Sequence, residues 1–280
     1  MYLRVSALPF MSLKTYDESE IKNKNVIDIT EMFHKGFIFN LNINKTGIYQ
    51  LMITNIYNYP ELIRKDRDIG RFYIDSNENL VPSVTTVLSR TSKKSDSIKE
   101  WRNRVGEEEA DRITKQSTDI GSMVHEALEN YLYGKDWENF TDDNDGMMAK
   151  KITQKFIEVG LNSISEVWGL EVGLILDGLY AGTADCIGKI NGNSTIIDFK
   201  TARRIKKREW IEDYFLQCCA YANAHNVMFG TQINQATILM VDRDLIFREF
   251  TVNPKEFDHL TKIWKRRLIE FHKKFNNDMS

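Results

Sequence analysis

Three strand-like segments follow one another in the middle of the chain and constrain its fold more than any other feature. LEVGLIL, YAGTADCIGKI and STIIDFKT are rich in isoleucine, leucine and threonine, and NGNS separates the last two. Such compositions favour strands, and a short turn that contains asparagine and glycine joins antiparallel strands in a hairpin. The three segments therefore predict a β-meander.

Segments with a helical period surround this meander. Apolar residues recur at helical spacing over 97–115, where Gly106 is expected to interrupt the helix, and over 118–133, which is expected to end at Gly134. The second of these helices has one apolar stripe, formed by Ile120, Val124, Ala127, Leu128 and Tyr131. Further predicted elements are helices over 146–159, 209–226 and 254–275 and a hairpin over 235–252 that turns at 242–244. This order predicts a mixed α/β domain with a central sheet flanked by helices.

The composition is that of an ordinary globular protein and argues against several other classes. Of the 280 residues, 42% are hydrophobic and 28% are charged, and no segment approaches the roughly 18 apolar residues of a membrane span. The three cysteines, two of them adjacent, predict neither a disulfide framework nor a four-cysteine iron–sulfur cluster. We therefore expect a soluble, intracellular protein of the cytoplasm without a membrane partner.

Two aspartates and a lysine lie on the second and third strands of the meander. Lys200 shares a strand face with Asp198, because side chains alternate along a strand, and Asp185 lies on the strand before. The predicted turn pairs 185–190 roughly with 195–200, which brings the two carboxylates together among apolar neighbours. Such a pair is costly unless a cation balances it, so the pattern predicts a site for Mg²⁺ or Mn²⁺.

Residues outside the meander add to this constellation. His125 lies on a predicted helix as a candidate metal ligand, and Gly121 one turn before it is expected to leave room for close approach. Gln217 and Tyr221 are four positions apart and share one face of the helix after Lys200. Their side chains are expected to position that lysine, a nucleophilic water or a phosphate. Simple packing explains each of these residues when it is taken alone.

A run of positive charge follows the third strand. Six of the nine residues from 200 to 208 are lysine or arginine, although the chain has a net charge of only −2 and no global attraction for nucleic acid. Beside a metal–carboxylate site the run predicts a local phosphate-contacting patch, and a solvated loop is the alternative. The residues concerned are Arg203, Arg204, Lys206 and Lys207.

Together these motifs resemble the RecB-like branch of the PD-(D/E)XK nucleases. The matching residues are Gly121 and His125 as G-x3-H, Gly182 to Asp185 as a GxxxD-like motif that is one residue tighter, Asp198 and Lys200 as D-x-K, and Gln217 and Tyr221 as Q-x3-Y. PSVTTVLS, WRNRVGEEEA and GSMVHEALENYL most resemble phage exonucleases related to the mitochondrial genome maintenance exonuclease. The resemblance covers residues 71–250.

The resemblance implies a restriction-endonuclease-like core with an N-terminal helical arch. It also implies a metal-dependent DNA exonuclease that acts on single-stranded ends in replication, recombination or repair. The implied metal ligands are His125, Asp185, Asp198 and the backbone carbonyl of Phe199, and the implied catalytic residues are Asp185, Asp198, Lys200, Gln217 and Tyr221. Glu171 matches a family glutamate as an accessory residue, and Thr201 joins the basic run as a DNA contact. A strand threaded under the helices at 97–133 would give Trp101 and Tyr131 base-stacking roles.

Several questions stay open at the level of sequence. Residues 1–51 have no clear period and are interpreted either as a poorly ordered extension of unknown role or as an over-long gene start, with residues 52–280 as the nuclease domain. A structure-specific endonuclease on the same core, or a non-catalytic DNA-binding protein with a nuclease fold, would carry the same motifs. Cleavage of a circular single strand separates an endonuclease from an exonuclease, and the full set of expected site residues favours catalysis.

Overall fold

A computed structural model of the chain describes residues 3–4, 15–16, 56–92 and 95–275. The chain divides into two compact units, residues 1–41 and residues 42–280. In the first unit, β1 (Leu3–Arg4) pairs antiparallel with β2 (Thr15–Tyr16). The remainder of the predicted N-terminal extension, with its boundary at residue 51, lies outside the described residues.

A five-stranded mixed sheet forms the centre of the second unit. Its strands are β6 (Ile164–Leu176), β7 (Tyr180–Ile190), β8 (Asn193–Ala202), β9 (Gln235–Asp242) and β10 (Phe247–Val252), in the spatial order β10-β9-β8-β7-β6. β8 and β9 run parallel, and every other neighbouring pair in this sheet is antiparallel. A separate antiparallel sheet consists of β3 (Ile63–Arg67), β4 (Gly70–Ile74) and β5 (Leu80–Pro82).

Six α-helices are present in the described part of the chain. They are α1 (Val84–Arg90), α2 (Ser95–Val105), α3 (Glu107–Leu132), α4 (Asn144–Glu158), α5 (Glu212–Phe229) and α6 (Pro254–Phe275). Short 3₁₀ turns lie at Gly160–Ser163 and Arg208–Trp210. None of the helices in these described ranges is long and apolar enough to cross a membrane.

The helices cover both faces of the central sheet. α1, α5 and α6 pack on one face, and α3 and α4 pack on the other. Almost fully buried residues of the two cores include Phe215, Trp264, Ile196 and Ile238 on the first face and Val124, Phe156, Cys186 and Leu239 on the second. Removal of this apolar surface from water is the main stabilising contribution. The predicted mixed α/β fold, with a central sheet flanked by helices, is confirmed.

The interruption predicted at Gly106 is present, but the break predicted between residues 115 and 118 is absent. α3 continues through the hydroxyl-rich stretch around residue 116, and Gly106, with a φ of 88°, separates it from α2. The hydroxyl of Thr114 donates to the carbonyl of Ala110 at 2.7 Å, and that of Thr118 donates to the carbonyl of Thr114 at 3.0 Å. Because these side chains bond within the helix, they do not end it. The helix ends before Gly134, as predicted.

The β7–β8 hairpin closes through a turn of two residues. Asn191 and Gly192 have φ angles of 50° and 81°, and a type I′ turn needs positive φ at both positions. The strands pair directly before and after these two residues. The predicted pairing of 185–190 with 195–200 is therefore wrong by two positions, because the expected four-residue turn is only two residues long.

β7 and β8 separate beyond this hairpin and form a fork. Their pairing extends from the turn only to Cys186 and Ile197, and the rest of β8 pairs with β9 alone. Asp185 and Asp198 are the first residues beyond the last pair. Both aspartates therefore stand where the fork opens, at the end of the hairpin expected from the sequence.

Candidate active site

Two side chains replace the missing strand pairing inside the fork. The backbone N–H of Phe199 donates to Oδ2 of Asp185 at 2.9 Å, and its carbonyl oxygen lies 2.9 Å from Nε2 of His125. A continuous ladder would bond these backbone groups to β7, and a buried backbone group without a partner is costly. Asp185 and His125 are therefore held by the backbone of the strand that carries Asp198 and Lys200.

Glu171 joins the fork from β6. The β6–β7 pairs on either side of it place it opposite Asp185, although that pair itself is missing from the ladder. Its φ of 48° is rare for a residue other than glycine and marks a local distortion of β6. Nδ1 of His125 lies 3.5 Å from Oε1 of Glu171 and 3.6 Å from Oδ2 of Asp185. The three side chains offer ligand atoms that all lie within 4.8 Å of one another.

Asp198 and Lys200 form an ion pair on one face of β8. Nζ of Lys200 donates to Oδ1 of Asp198 at 2.6 Å and lies 5.1 Å from the centre of the Tyr214 ring. Only 2% of Asp198 is exposed, and its Oδ2 has no hydrogen-bond partner among the described residues. A buried carboxylate oxygen without a donor is costly, so a cation or a water would be stabilised next to it.

The close approach of carboxylates, imidazole and ammonium in the fork shifts the pKa values of His125, Lys200 and Asp198. Burial by itself lowers the pKa of His125, but the carboxylates of Asp185 and Glu171 outweigh burial and raise it to about 9. Burial also disfavours the charge on Lys200, whose pKa is nevertheless raised by Asp198 and Asp185. The pKa of Asp198 is raised by burial against the opposing effect of Lys200. Lys200 and His125 are therefore both cations at neutral pH when the fork contains no other cation.

The residues present fit a divalent cation. The carboxylates of Glu171, Asp185 and Asp198 outnumber the single permanent cation Lys200, and one divalent ion would balance the excess once His125 is neutral. Carboxylate oxygens, an imidazole nitrogen and a backbone carbonyl are ligands that suit Mg²⁺ and Mn²⁺. Binding of such an ion would displace the proton from His125.

The geometry gives Glu171 and Asp198 different places in the candidate ion site from those in the predicted ligand set. His125, Asp185 and the carbonyl of Phe199 lie together, as the sequence suggested. Glu171 was given only an accessory role, yet it belongs to the cluster around His125. Asp198 is bound by Lys200 and contributes the unsatisfied Oδ2.

α5 carries the pair Gln217 and Tyr221. Nε2 of Gln217 donates to the hydroxyl of Tyr221 at 3.2 Å. Burial raises the pKa of this phenol, so it stays protonated at neutral pH. A Cβ on Gly182 would lie 2.9 Å from the Tyr221 ring, so glycine permits this close approach. Gly121 is not needed for space, because a Cβ there would meet only Oγ1 of Thr201, at an ordinary 3.5 Å.

The basic run leaves the fork at the end of β8, and its members differ in their surroundings. Lys206 donates to the hydroxyl of Tyr214 at 2.6 Å. Arg208 forms an ion pair with Glu256 of α6 and so has a structural role. The exposed members are Arg203, Arg204 and Lys207.

The two aromatic residues that were expected to stack on bases lie in different places. Trp101 of α2 is half-buried and lines a cleft together with Thr201. Tyr131 of α3 packs edge-to-face against Trp137, with the ring centres 6.1 Å apart. Of these two residues, Trp101 is therefore the one that borders the cleft beside the fork.

Sequence reasoning missed two residues near the fork. The ring of Tyr214 lies between two lysines, with its centre 5.1 Å from Nζ of Lys200 and 5.0 Å from Nζ of Lys206. Tyr214 lies one turn before Gln217 and two turns before Tyr221, so it shares their helix face. This spacing could have identified it from the sequence. The backbone N–H of Arg243 donates to the carbonyl of Ala202, at 3.1 Å. No local sequence pattern predicts this contact, because it arises from the parallel pairing of β8 with β9, which are far apart in the chain.

Comparison with known proteins reveals a partial relationship. No family model matches the chain. The mitochondrial genome maintenance exonuclease 1 of Homo sapiens and that of Mus musculus are each 28% identical to it over 183 residues, which cover 61% of this chain and 52% of each relative. The chain therefore spans about half the length of these curated relatives. In sequence, then, it is similar to exonucleases.

A solved structure is also similar. It is the crystal structure of a protein from Eubacterium rectale that is provisionally assigned as an exonuclease. The two structures have a TM-score of 0.41 at 17% sequence identity, and the match covers 57% of this chain and 68% of the other.

Proposed function

We propose that the chain is a Mg²⁺- or Mn²⁺-dependent deoxyribonuclease that hydrolyses phosphodiester bonds as an exonuclease on single-stranded ends. The observation that carries this proposal is the fork, in which His125, Glu171 and Asp185 converge beside the ion pair of the buried Asp198 with Lys200. The similarity in sequence to two exonucleases supports it. Three buried, free cysteines fit a reducing compartment, so the expected cytoplasmic location belongs to the same proposal.

Each group in the fork has a defined task under this proposal. A divalent ion, when bound, supplies Lewis acidity toward a phosphoryl oxygen and lowers the pKa of a nearby water. His125, Asp185 and Glu171, with the carbonyl of Phe199, would hold that ion. The carboxylate of Asp198 would orient the water through its unsatisfied Oδ2.

Lys200 acts as a positive charge rather than as a base. Its raised pKa keeps the ammonium group protonated beside Asp198. A fixed cation next to the phosphate stabilises the negative charge that develops on the phosphoryl oxygens in the transition state. The protonated phenol of Tyr221 and the amide of Gln217 are hydrogen-bond donors that would position the phosphate.

The experiment that tests the proposal compares linear and circular substrates. End-labelled linear single-stranded DNA and a circular single strand are incubated with the protein in Mg²⁺, in Mn²⁺ and in chelator. We expect metal-dependent loss of the linear strand and an intact circle. Lys200→Ala and Asp198→Ala are expected to reduce the rate by about 10²–10³, the typical cost of removing one group that stabilises the transition state.

A matched variant controls for the loss of a lysine. Lys150→Ala removes an exposed lysine that pairs with Glu138, and the rate should be unchanged. Cleavage of the circle would replace the exonuclease with an endonuclease. Binding of DNA without cleavage in either metal would favour the non-catalytic DNA-binding protein.

A further inference from the structure

A cleft of about 720 Å³ lies beside the fork and is not part of the predicted ion site. One wall is α3, the opposite wall is the segment that follows β8, and the loop between β9 and β10 contributes Arg243. Thr201, the neighbour of Lys200, lies in the cleft wall, and its hydroxyl is next to Gly121 of α3. The cleft therefore begins at the fork and continues along the helix that carries His125.

The lining of this cleft is cationic, although the whole chain has a net charge of −2. Its charged residues are Arg203, Lys206 and Arg243, and no acidic residue is among the described residues that line it. The hydroxyls of Ser117 and Thr201 supply further hydrogen-bond donors, whereas those of Thr114 and Thr118 already donate to backbone carbonyls of α3. Cations and hydroxyls without carboxylates are the groups that contact phosphate oxygens.

Arg243 is fixed in place by neutral groups. Its side chain donates to Oε1 of Gln116 at 3.0 Å and lies 3.5 Å from the hydroxyl of Ser117. Gln116 in turn donates to Oδ1 of Asp145 at 2.7 Å. Since no described carboxylate forms an ion pair with Arg243, its charge stays available to an anion. A guanidinium that is oriented in advance loses less entropy when it binds phosphate.

The position of Arg243 along α3 indicates which phosphate it reaches. Ser117 precedes His125 by eight residues, which corresponds to roughly 12 Å along a helix axis. The rise per nucleotide of one strand is about 3.4 Å in a duplex. The separation is therefore too large for a guanidinium at Ser117 to contact a phosphate bound at His125, and it fits a phosphate farther along the strand.

We infer that Arg243 is a substrate-binding residue that anchors the backbone of the nucleic-acid strand at a phosphate remote from the bond that is cleaved. This inference rests on the proposed nuclease function for the identity of the ligand, a single-stranded polynucleotide. It assigns the cleft between α3 and the end of β8 as the track of that strand. Arg203 and Lys206 would contact intervening phosphates.

The experiment measures binding separately from cleavage. Fluorescence anisotropy with a labelled single-stranded oligonucleotide in chelator gives the binding constant over a series of salt concentrations. We expect Arg243→Gln to weaken binding and to reduce the slope of log K against log salt by about 0.7, the loss of one phosphate contact in a single strand. Arg243→Lys retains the positive charge, so its slope should equal that of the wild type. With Mg²⁺, Arg243→Gln should raise KM and leave kcat nearly unchanged.

Two matched variants separate phosphate contact from structural support. Arg248→Gln removes an exposed arginine from the same hairpin and should change neither binding nor slope. Gln116→Ala breaks the hydrogen bond to Arg243 but leaves its charge, so the slope should stay as in the wild type. An equal loss in Arg243→Gln and Arg248→Gln would overturn the inference, and so would a Gln116→Ala variant with the reduced slope.

The outcomes for the two proposals can be told apart. Metal-dependent cleavage with normal binding by Arg243→Gln would refute the role of Arg243 and leave the nuclease standing. Binding that is lost in Arg243→Gln, in a wild-type protein that cleaves nothing, would support the strand track and refute the nuclease. A wild-type protein that binds no oligonucleotide at low salt would refute the strand track.

Discussion

At the residue scale, the ion pair between Asp198 and Lys200 would decide how the proposed metal site in the fork responds to loss of the ion. Asp198 is buried while the side chain of Lys200 is 19% exposed, and the aspartate still has one oxygen without a hydrogen-bond partner among the described residues. A buried pair contributes little net stability when it is intact, yet removal of one partner leaves a charge that the interior cannot solvate. The stability of the fork should therefore depend on whether a cation replaces the lysine.

Lys200→Ala is expected to destabilise the protein by about 3 kcal/mol in chelator, because Asp198 then lacks its partner. Excess Mn²⁺ should restore much of this loss, since the ion takes over the balance of charge. Urea unfolding in chelator and in Mn²⁺ measures both values. Lys150→Ala, at an exposed ion pair, is the control and should cost less than about 1 kcal/mol in either condition. Equal losses for Lys200→Ala with and without metal would contradict a cation site next to Asp198.

At the element scale, the site depends on irregular strands. β7 leaves β8 after the pair of Cys186 and Ile197, and β6 is distorted at Glu171. Because of these two departures from regular pairing, the carboxylates of Asp185 and Glu171 point toward the same space. Flat, fully paired strands would not bring them together. The backbone groups that the departures free are bonded by Asp185 and His125, so the same side chains both repair the sheet and form the site.

Two glycines near the fork should respond to alanine with opposite signs. A Cβ at Gly182 would press on the Tyr221 ring, so Gly182→Ala is expected to cost about 1–3 kcal/mol. At Gly121, in the interior of α3, a Cβ would meet only Oγ1 of Thr201 at an ordinary 3.5 Å, and alanine is the better helix former, so Gly121→Ala should add about 0.5–1 kcal/mol. Thermal and urea unfolding of both variants give the comparison. A stabilising Gly182→Ala would show that Tyr221 does not pack as described.

At the scale of the whole molecule, an aromatic cluster joins the segment before β3 to the central sheet and α5. His225 is fully buried in it, with the rings of Tyr57 and Phe229 each centred 4.8 Å away. Its Nε2 lies 3.1 Å from the hydroxyl of Tyr59, and its Nδ1 lies 2.8 Å from Oγ1 of Thr231. Burial lowers the pKa of His225 to about 4, so the ring is neutral in the folded protein.

This buried histidine predicts a loss of stability in acid. The unfolded chain binds a proton at His225 near pH 6.5, but the folded protein resists protonation until about pH 4. Stability that is present above pH 6.5 is therefore lost as the pH falls through this window, by at most about 1.4 kcal/mol per pH unit. Urea unfolding between pH 7 and pH 4 measures the slope.

Substitution isolates the contribution of this histidine from those of other titrating groups. His225→Gln should lower stability at every pH, since the packing is lost, and should flatten the slope between pH 6.5 and pH 4. His259→Gln, at an exposed position of α6, should leave the slope unchanged. A slope that is identical in His225→Gln and in the wild type would show that His225 is not buried in its neutral form.

Local sequence was sufficient for the elements and for most of the candidate site residues. The helix Pro254–Phe275 has the predicted bounds, and the hairpin of β7 and β8 lies where the Asn–Gly turn indicated. Such features depend on side chains a few positions apart, which is the range that periodicity and turn chemistry describe. The spacing of D-x-K was informative for the same reason, since alternation along one strand places both side chains on one face.

Only the tertiary structure decided how these elements meet. The separation of β7 from β8, the place of Glu171 beside His125 and the contact of Arg243 with the end of β8 all join residues that are far apart in the chain. The two-residue turn shifted the register by two positions, and the hydroxyls of α3 allowed one helix where a break was expected. The sequence alone thus determined the α/β class and singled out the carboxylates, histidine and lysine as candidate site residues. Strand pairing and packing decided which of them share a site, because those contacts depend on the free energy of the whole fold rather than on neighbours in sequence.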